Sequence, residues 1–154
     1  MSTRTKLHLE NFLPYRLSVL SNTVSGAIAA AYFSHFGLSI PEWRVMAVLA
    51  ANPGLSAAEV TARTAMDKVA VSRAVANLLA VGRLRRTMAK NDRRRTHLEL
   101  TTAGKNVYAQ VVPMALSYER HLLAPLSARD RVTLDRLLRV LLGRAIELGP
   151  MHAE

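Results

Sequence analysis

At 154 residues, half of them hydrophobic, the chain can bury one real core, is too short for two comfortable domains, and is not disordered in bulk. Its 21 Lys+Arg against 11 Asp+Glu leave a formal charge of +10, a surface that attracts polyanions: nucleic acid or an anionic membrane. The absence of cysteine excludes disulfide staples, thiolate metal sites and a thiol redox switch within the sequence.

The N-terminal MSTRTKLHLENFLPYRL is broken by polar residues before an apolar run forms, which does not fit a signal peptide. The most apolar stretch, Val24–Phe33, falls short of the ~18–20 residues that span a bilayer. A soluble cytoplasmic protein without a membrane partner is expected. The first helix is read from about Asn11 to His35, with Leu13, Leu17, Leu20, Val24, Ile28 and Ala31 at three- and four-residue spacing and Gly37 as its stop. Ser39-Ile40-Pro41-Glu42 is a capping box that opens a helix over 41–51, closed by Asn52-Pro53-Gly54. A second box, Ser56-Ala57-Ala58-Glu59, opens 57–63, and Asp67 caps a helix over 68–81 that Gly82 ends.

Two short strands follow, Leu84–Met88 and Thr96–Leu100, joined by a charged tip. Leu84, Leu98 and Leu100 alternate with Arg85, His97 and Glu99, giving the hairpin an inward and an outward face. Thr101 or Thr102 caps a helix over 103–123, and Ser127 a last one over 128–147. That last helix carries Val132, Leu134, Leu137, Leu138, Leu141, Leu142 and Ile146 over more than one face. Such leftover apolar surface on both terminal helices predicts a homodimer, the plainer alternative being that these faces cap the central unit.

Helix, turn, helix and basic hairpin together suit a reader of double-stranded DNA. The second helix of such a unit presents its N-terminal side chains to base edges. Here these are Lys68, Ala70, Val71, Ser72 and Arg73, with Asn77 one turn on; Val69, Ala74 or Val75, Leu78 and Leu79 are expected to pack inward. Lys68 and Arg73 can donate to guanine or phosphate, Ser72 to either, and Ala70 or Val71 can meet a thymine methyl. Seven of the basic residues lie between Arg83 and Arg95. Of these Arg86, Lys90, Arg93, Arg94 and Arg95 are candidate DNA contacts, and Asp92 is expected to pair with an arginine and fix the tip so that arginine enters the minor groove.

The run NDRRRTHLELTTAGK resembles the wing signature of the multiple antibiotic resistance regulator (MarR) family, with Asp92, Arg94, Leu98, Leu100, Thr101 and Gly104 at the characteristic positions. Pro41–Met46, Leu55–Glu59 and Met66–Arg73 are similar to that family's second, third and recognition helices. The resemblance implies a mainly α fold with a small β-hairpin wing. A winged helix-turn-helix, residues 39–101, would then sit between dimerisation helices at 11–36 and 103–148. It also implies a repressor on an inverted-repeat operator, released by a small ligand such as an aromatic acid or its acyl thioester.

The effector pocket expected from that shape would be lined by Tyr15, Arg16, Val19, Tyr32, His35, Trp43, Met46, Met114 and Tyr118, an arginine for the carboxylate and rings for stacking. The ordinary alternative is that this aromatic and methionine stripe is core packing. No cofactor and no metal are expected: the five histidines lie far apart, and a zinc site would have to join His8, His35 and His121 across the chain. A metal-responsive regulator and a non-specific architectural DNA-binding protein are the competing functions. An enzyme is not expected, since neither a His-Glu-x-x-His nor a Gly-x-Ser-x-Gly motif nor a phosphate-cradling glycine loop appears.

Overall fold

The computed structural model describes residues 6–89 and 92–150, and at 89 and 92–95 the backbone alone. A 3-10 turn, Leu9–Asn11, leads into α1 (Leu13–Phe36), α2 (Ile40–Ala51), α3 (Ala57–Thr64), α4 (Lys68–Ala80), β1 (Leu84–Ala89), β2 (Asp92–Leu100), α5 (Thr102–Leu123) and α6 (Ala128–Leu148). The fold is thus mainly α with a β-hairpin wing, as expected. It divides into two compact units, Met1–Met114 and Ala115–Glu154, with α5 contributing to both and Pro113 inside that helix near the division.

Local chemistry accounts for the helix ends in the first unit. Both capping boxes are closed: Ser39 Oγ accepts from Glu42 N while Ser39 N donates to Glu42 Oε2, and Ser56 and Glu59 repeat the exchange. Asp67 Oδ1 accepts from Ala70 N at 2.9 Å and starts α4. α1 ends at Gly37, whose φ of 62° lets its N–H donate to the Phe33 carbonyl at 2.8 Å.

The core collects Val45, Met46 and Leu49 from α2, Val60 from α3, Val71, Ala74, Val75 and Leu78 from α4, and Leu84, Leu98 and Leu100 from the hairpin. Tyr32, Leu38 and Val111 complete it. Fully burying a side chain of the larger kinds contributes about 1.5–3 kcal/mol, so this cluster fixes α4 against α2 and the wing. One polar link reinforces it. Glu42, only 8% exposed, gives one oxygen to its own cap and the other to Asn77 Nδ2 at 3.0 Å, tying α2 to α4.

The wing pairs Leu84↔Leu100, Arg85↔Glu99, Arg86↔Leu98, Thr87↔His97 and Met88↔Thr96. Leu55 adds a short third edge: Leu98 N donates to the Leu55 carbonyl at 2.8 Å, and Gly54 N to the Leu98 carbonyl at 3.1 Å. β2 reaches back to Asp92, beyond the expected start at Thr96. The register steps from Met88↔Thr96 to Ala89↔Asp92, leaving the backbone of 93–95 extended but without facing residues on β1. Charge density suggested a turn there, but ladder pairing is a backbone property and tolerates charged side chains.

At the root of the wing, Thr101 N donates to the Arg83 carbonyl at 3.1 Å and Thr101 Oγ1 to the Gly82 carbonyl at 2.6 Å. Arg83 itself reaches back, Nη2 donating to the Phe36 carbonyl at 2.6 Å. It therefore caps the C-terminal end of α1, a structural role for the first residue of the basic run.

In the second unit Ser127 Oγ accepts from Asp130 N at 3.1 Å to start α6, and Arg131 Nη2 donates to the Leu123 carbonyl at 2.8 Å across the preceding turn. None of the residues of α6 is buried; Val132, Leu137, Leu138, Leu142 and Ile146 are among its exposed apolar side chains.

Candidate nucleic-acid interface

The face α4 turns outward is decided by the face it buries. Val71, Ala74, Val75 and Leu78 recur at three- and four-residue spacing and are all in the core. Val71 is 1% exposed, which corrects its assignment as a thymine contact: its isopropyl group faces inward, where no base can meet it. Val69 corrects the opposite expectation. It lies about 200° round the helix from Val71 and is 60% exposed. Only these two valines are exchanged: Ala74, Val75 and Leu78 are inward as expected, and the signal that places Val71 with them is Leu78, a large residue whose i−3, i−4 and i−7 neighbours are all apolar.

Lys68, Ser72 and Arg73 are exposed, as a duplex-reading helix requires, and Ala70 is half-buried beneath the cap bond from its own N–H. Asn77 is exposed, but its amide donates to Glu42, so this side chain also braces α4 from behind. On the other flank α3, α4 and β1 enclose an open cleft of about 410 Å³. Ala57, Ala58 and Thr61 line one wall, Lys68, Ser72 and Ala76 another, Val71 and Val75 the floor, and Arg86 closes it from the wing. Arg86 stands opposite Leu98 on the inward side of the hairpin, which is why it reaches this cleft, while Arg85 pairs outward with Glu99 at 3.0 Å. Lys90 and the side chains of Asp92, Arg93, Arg94 and Arg95 lie outside the described residues, so the tip contacts expected of them are neither placed nor displaced.

Near the cleft, Glu59 titrates below its ordinary 4.5, chiefly because Ser56 N–H and then its hydroxyl bond the carboxylate, with His97 and Arg63 adding charge. His97 Nδ1 in turn contacts the Gly54 carbonyl and anchors the wing to the turn after α2.

The expected effector residues separate. Met46 is fully enclosed in the core, and Tyr32, in the same cluster, is 2% exposed. Burial raises the Tyr32 phenol above its ordinary 10.0, with Arg44 opposing the shift. Trp43 is half-buried and lies between two rings: Tyr32 at 5.9 Å and Tyr108 at 5.5 Å, the latter stacked at 20°. Tyr108 was not anticipated; Val107, Tyr108 and Val111 at helical spacing are the pattern that marks this face of α5. Tyr15, Arg16 and Val19 are exposed on α1, as is His35 at its end, and Met114 is half-buried. Tyr118 is half-buried in the second unit. His35 Nδ1 lies 2.8 Å from the Ala31 carbonyl and His121 Nδ1 2.7 Å from the Ser117 carbonyl, each engaged by its own helix, and His8 is exposed. Among the described residues no group of three or more His, Cys, Asp or Glu could hold a metal, and no helix is long and apolar enough to cross a membrane.

Residues 36–95 match the model of the MarR family. Among curated proteins the chain is similar to the transcriptional regulator HosA of Escherichia coli O127:H6, 28% identical over 102 residues, 66% of this chain and 76% of HosA. Among solved structures it is similar to a MarR/EmrR family transcriptional regulator from Acinetobacter sp. ADP1, with a TM-score of 0.83 and 25% identity over 90% of this chain and 97% of that one. Bordetella bronchiseptica BpsR, whose DNA binding is regulated by 6-hydroxynicotinic acid, shares the fold with a TM-score of 0.76 and 23% identity over 88% of this chain and 96% of its own.

Proposed function

We propose that this chain, whose residues 36–95 match the MarR family model and whose winged helix-turn-helix is similar to that of a MarR/EmrR family transcriptional regulator, is a homodimeric repressor that binds an inverted-repeat operator and is released by a small ligand. The observation that carries the reading is the outward face of α4, where Lys68, Ser72 and Arg73 stand exposed on a helix locked to α2 and the wing. Arg86 extends this face across the cleft, and Lys90, Asp92, Arg93, Arg94 and Arg95 at the tip are the proposed minor-groove and backbone contacts. Support for a dimer comes from the exposed apolar side chains of the terminal helices, Leu13, Leu17 and Leu20 on α1 and Leu137, Leu138 and Leu141 on α6, surface that a partner chain would cover. Two copies would set two α4 helices about one turn of DNA apart, ~10–10.5 bp.

For the ligand, the Tyr32–Trp43–Tyr108 ring series with Arg44 nearby suits an aromatic acid, the class to which the 6-hydroxynicotinic acid of BpsR belongs. Tyr15, Arg16, Val19, His35 and Met114 remain proposed lining residues. To act as a switch the ligand must favour one spacing of the recognition helices over the other by several kcal/mol, on the order of 5.

Selection of bound sequences from a random DNA pool tests the function directly. A palindromic consensus that competes far better than scrambled DNA is expected, with Arg73→Ala losing that preference. Equal competition by scrambled DNA, with steep salt dependence retained, would mean a non-specific architectural protein. Calorimetric titration with hydroxybenzoates, hydroxycinnamates and hydroxynicotinates tests the effector class; no heat from any of them removes aromatic acids.

A further inference from the structure

We infer that Val69 reads a thymine methyl group in the operator. The inference rests on the DNA-binding reading above and assigns it a specificity residue. Val69 is in the first turn of α4, the turn that enters the major groove in a helix-turn-helix protein. It is 60% exposed, near the middle of the outward face. Ser72 and Arg73, three and four residues on, are its neighbours on that face.

Neither packing nor helix propensity explains valine at this place. The residue is outside the core, and a β-branched side chain in an exposed helical turn is less favourable than alanine. An exposed isopropyl group beside a guanidinium and a hydroxyl suits one feature of the major groove, the C5-methyl that distinguishes thymine from the other bases. Ala70 is less suited, because it is half-buried and carries a single methyl. Ala76, exposed one turn beyond Ser72, leaves clearance for the helix to approach the base edges.

The test replaces each thymine of the selected consensus in turn by uracil, which differs only in lacking the methyl, and measures affinity for wild type and for Val69→Ala. Losing one methyl contact at about 0.8 kcal/mol corresponds to roughly fourfold in affinity per half-site, and about fifteenfold when both half-sites are changed. Wild type should show that loss at one thymine per half-site. Val69→Ala should bind the thymine operator about as weakly as wild type binds the uracil form, and should ignore the replacement. Unchanged far-ultraviolet circular dichroism and melting of Val69→Ala exclude misfolding. Uracil indifference of wild type at every position overturns the inference while leaving the regulator reading intact, and so does sensitivity that persists in Val69→Ala. A pool that yields no consensus overturns both.

Discussion

Replacing Gly104 by alanine tests whether the wing and α5 are joined as tightly as the geometry demands. A Cβ there would stand 2.1 Å from the Arg83 carbonyl oxygen, where real Cβ contacts do not fall below 3.0 Å, a shortfall of 0.9 Å against backbone rather than a flexible side chain. The backbone has little room to yield. The Arg83 carbonyl already accepts from Thr101 N, the neighbouring Gly82 carbonyl accepts from Thr101 Oγ1, and the Arg83 guanidinium holds the end of α1. Overpacking of this kind costs about 1–3 kcal/mol, and loosening the Thr101–Arg83 bond about 1 kcal/mol more. Alanine in the first turns of a helix returns about 1 kcal/mol. The balance is a loss of roughly 2 kcal/mol, or about 4–8 °C in melting temperature for a chain of this size. Urea denaturation and thermal melting followed by circular dichroism measure it. Gly26→Ala provides the comparison: with nothing within 4 Å of its Cβ, it should stabilise α1 by up to about 1 kcal/mol. If Gly104→Ala melted at or above wild type, the close approach of Gly104 to Arg83 would not exist as described.

Three further outcomes are expected. Ala65 ends α3 with φ at 51°, a left-handed conformation costing about 1–2 kcal/mol in a residue with a Cβ; Ala65→Gly, net of the entropy it adds to the unfolded chain, should raise the urea midpoint, and a lower midpoint would show the helix-turn-helix turn to be unstrained. Glu59 holds its carboxyl below the ordinary 4.5, so its contribution is present above that value and is lost as pH falls through the lower folded value. The stability difference between wild type and Glu59→Gln should therefore be largest near neutral pH and close below 4.5, and a difference independent of pH would count against the capping-box origin of the shift. Leu137→Glu combined with Leu141→Glu places charges on an exposed apolar face of α6 and should convert the proposed dimer to monomer in sedimentation velocity, with operator affinity lost in parallel.

Much of the fold was legible because its helix ends carry their own chemistry. Two complete capping boxes, an aspartate N-cap and Gly37 in the left-handed region bound α1 to α4 within a residue or two of where Ser39, Ser56, Asp67 and Gly37 alone would put them. What was not legible are contacts made at long range. Nothing local marks Arg83 as a cap for a helix that ends at Phe36, or Asn77 as the partner of Glu42, 35 residues away. Asn77 reads as a DNA contact and Arg83 as the first member of a basic run, and both side chains are held by the protein. The same limit separates Met46 from Trp43: each belongs to one aromatic and methionine pattern, yet only packing decides that the first is enclosed and the second is half-exposed between two tyrosines.

Helix α4 shows why the inward set of a largely apolar helix is hard to read locally. Of its 13 residues only Lys68, Ser72, Arg73 and Asn77 are polar, so apolar positions run round most of the circumference and, in the first turn, Val69 and Val71 compete locally for the inward place. A solvent-facing helix would resolve the ambiguity with charges, since water rewards them; this one places valine and two alanines, Ala76 and Ala80, on its outward side. The alanines are good helix formers, but the exposed β-branched valine is less favourable in the free protein, and makes sense if the face is covered in use. Base edges in the major groove offer methyl groups and a confined space, where small apolar side chains beside Lys68, Ser72 and Arg73 can fit and a denser set of charges would hold the helix away. The exposed valine that local pattern would bury is therefore the residue that suits the DNA-facing role proposed for this surface.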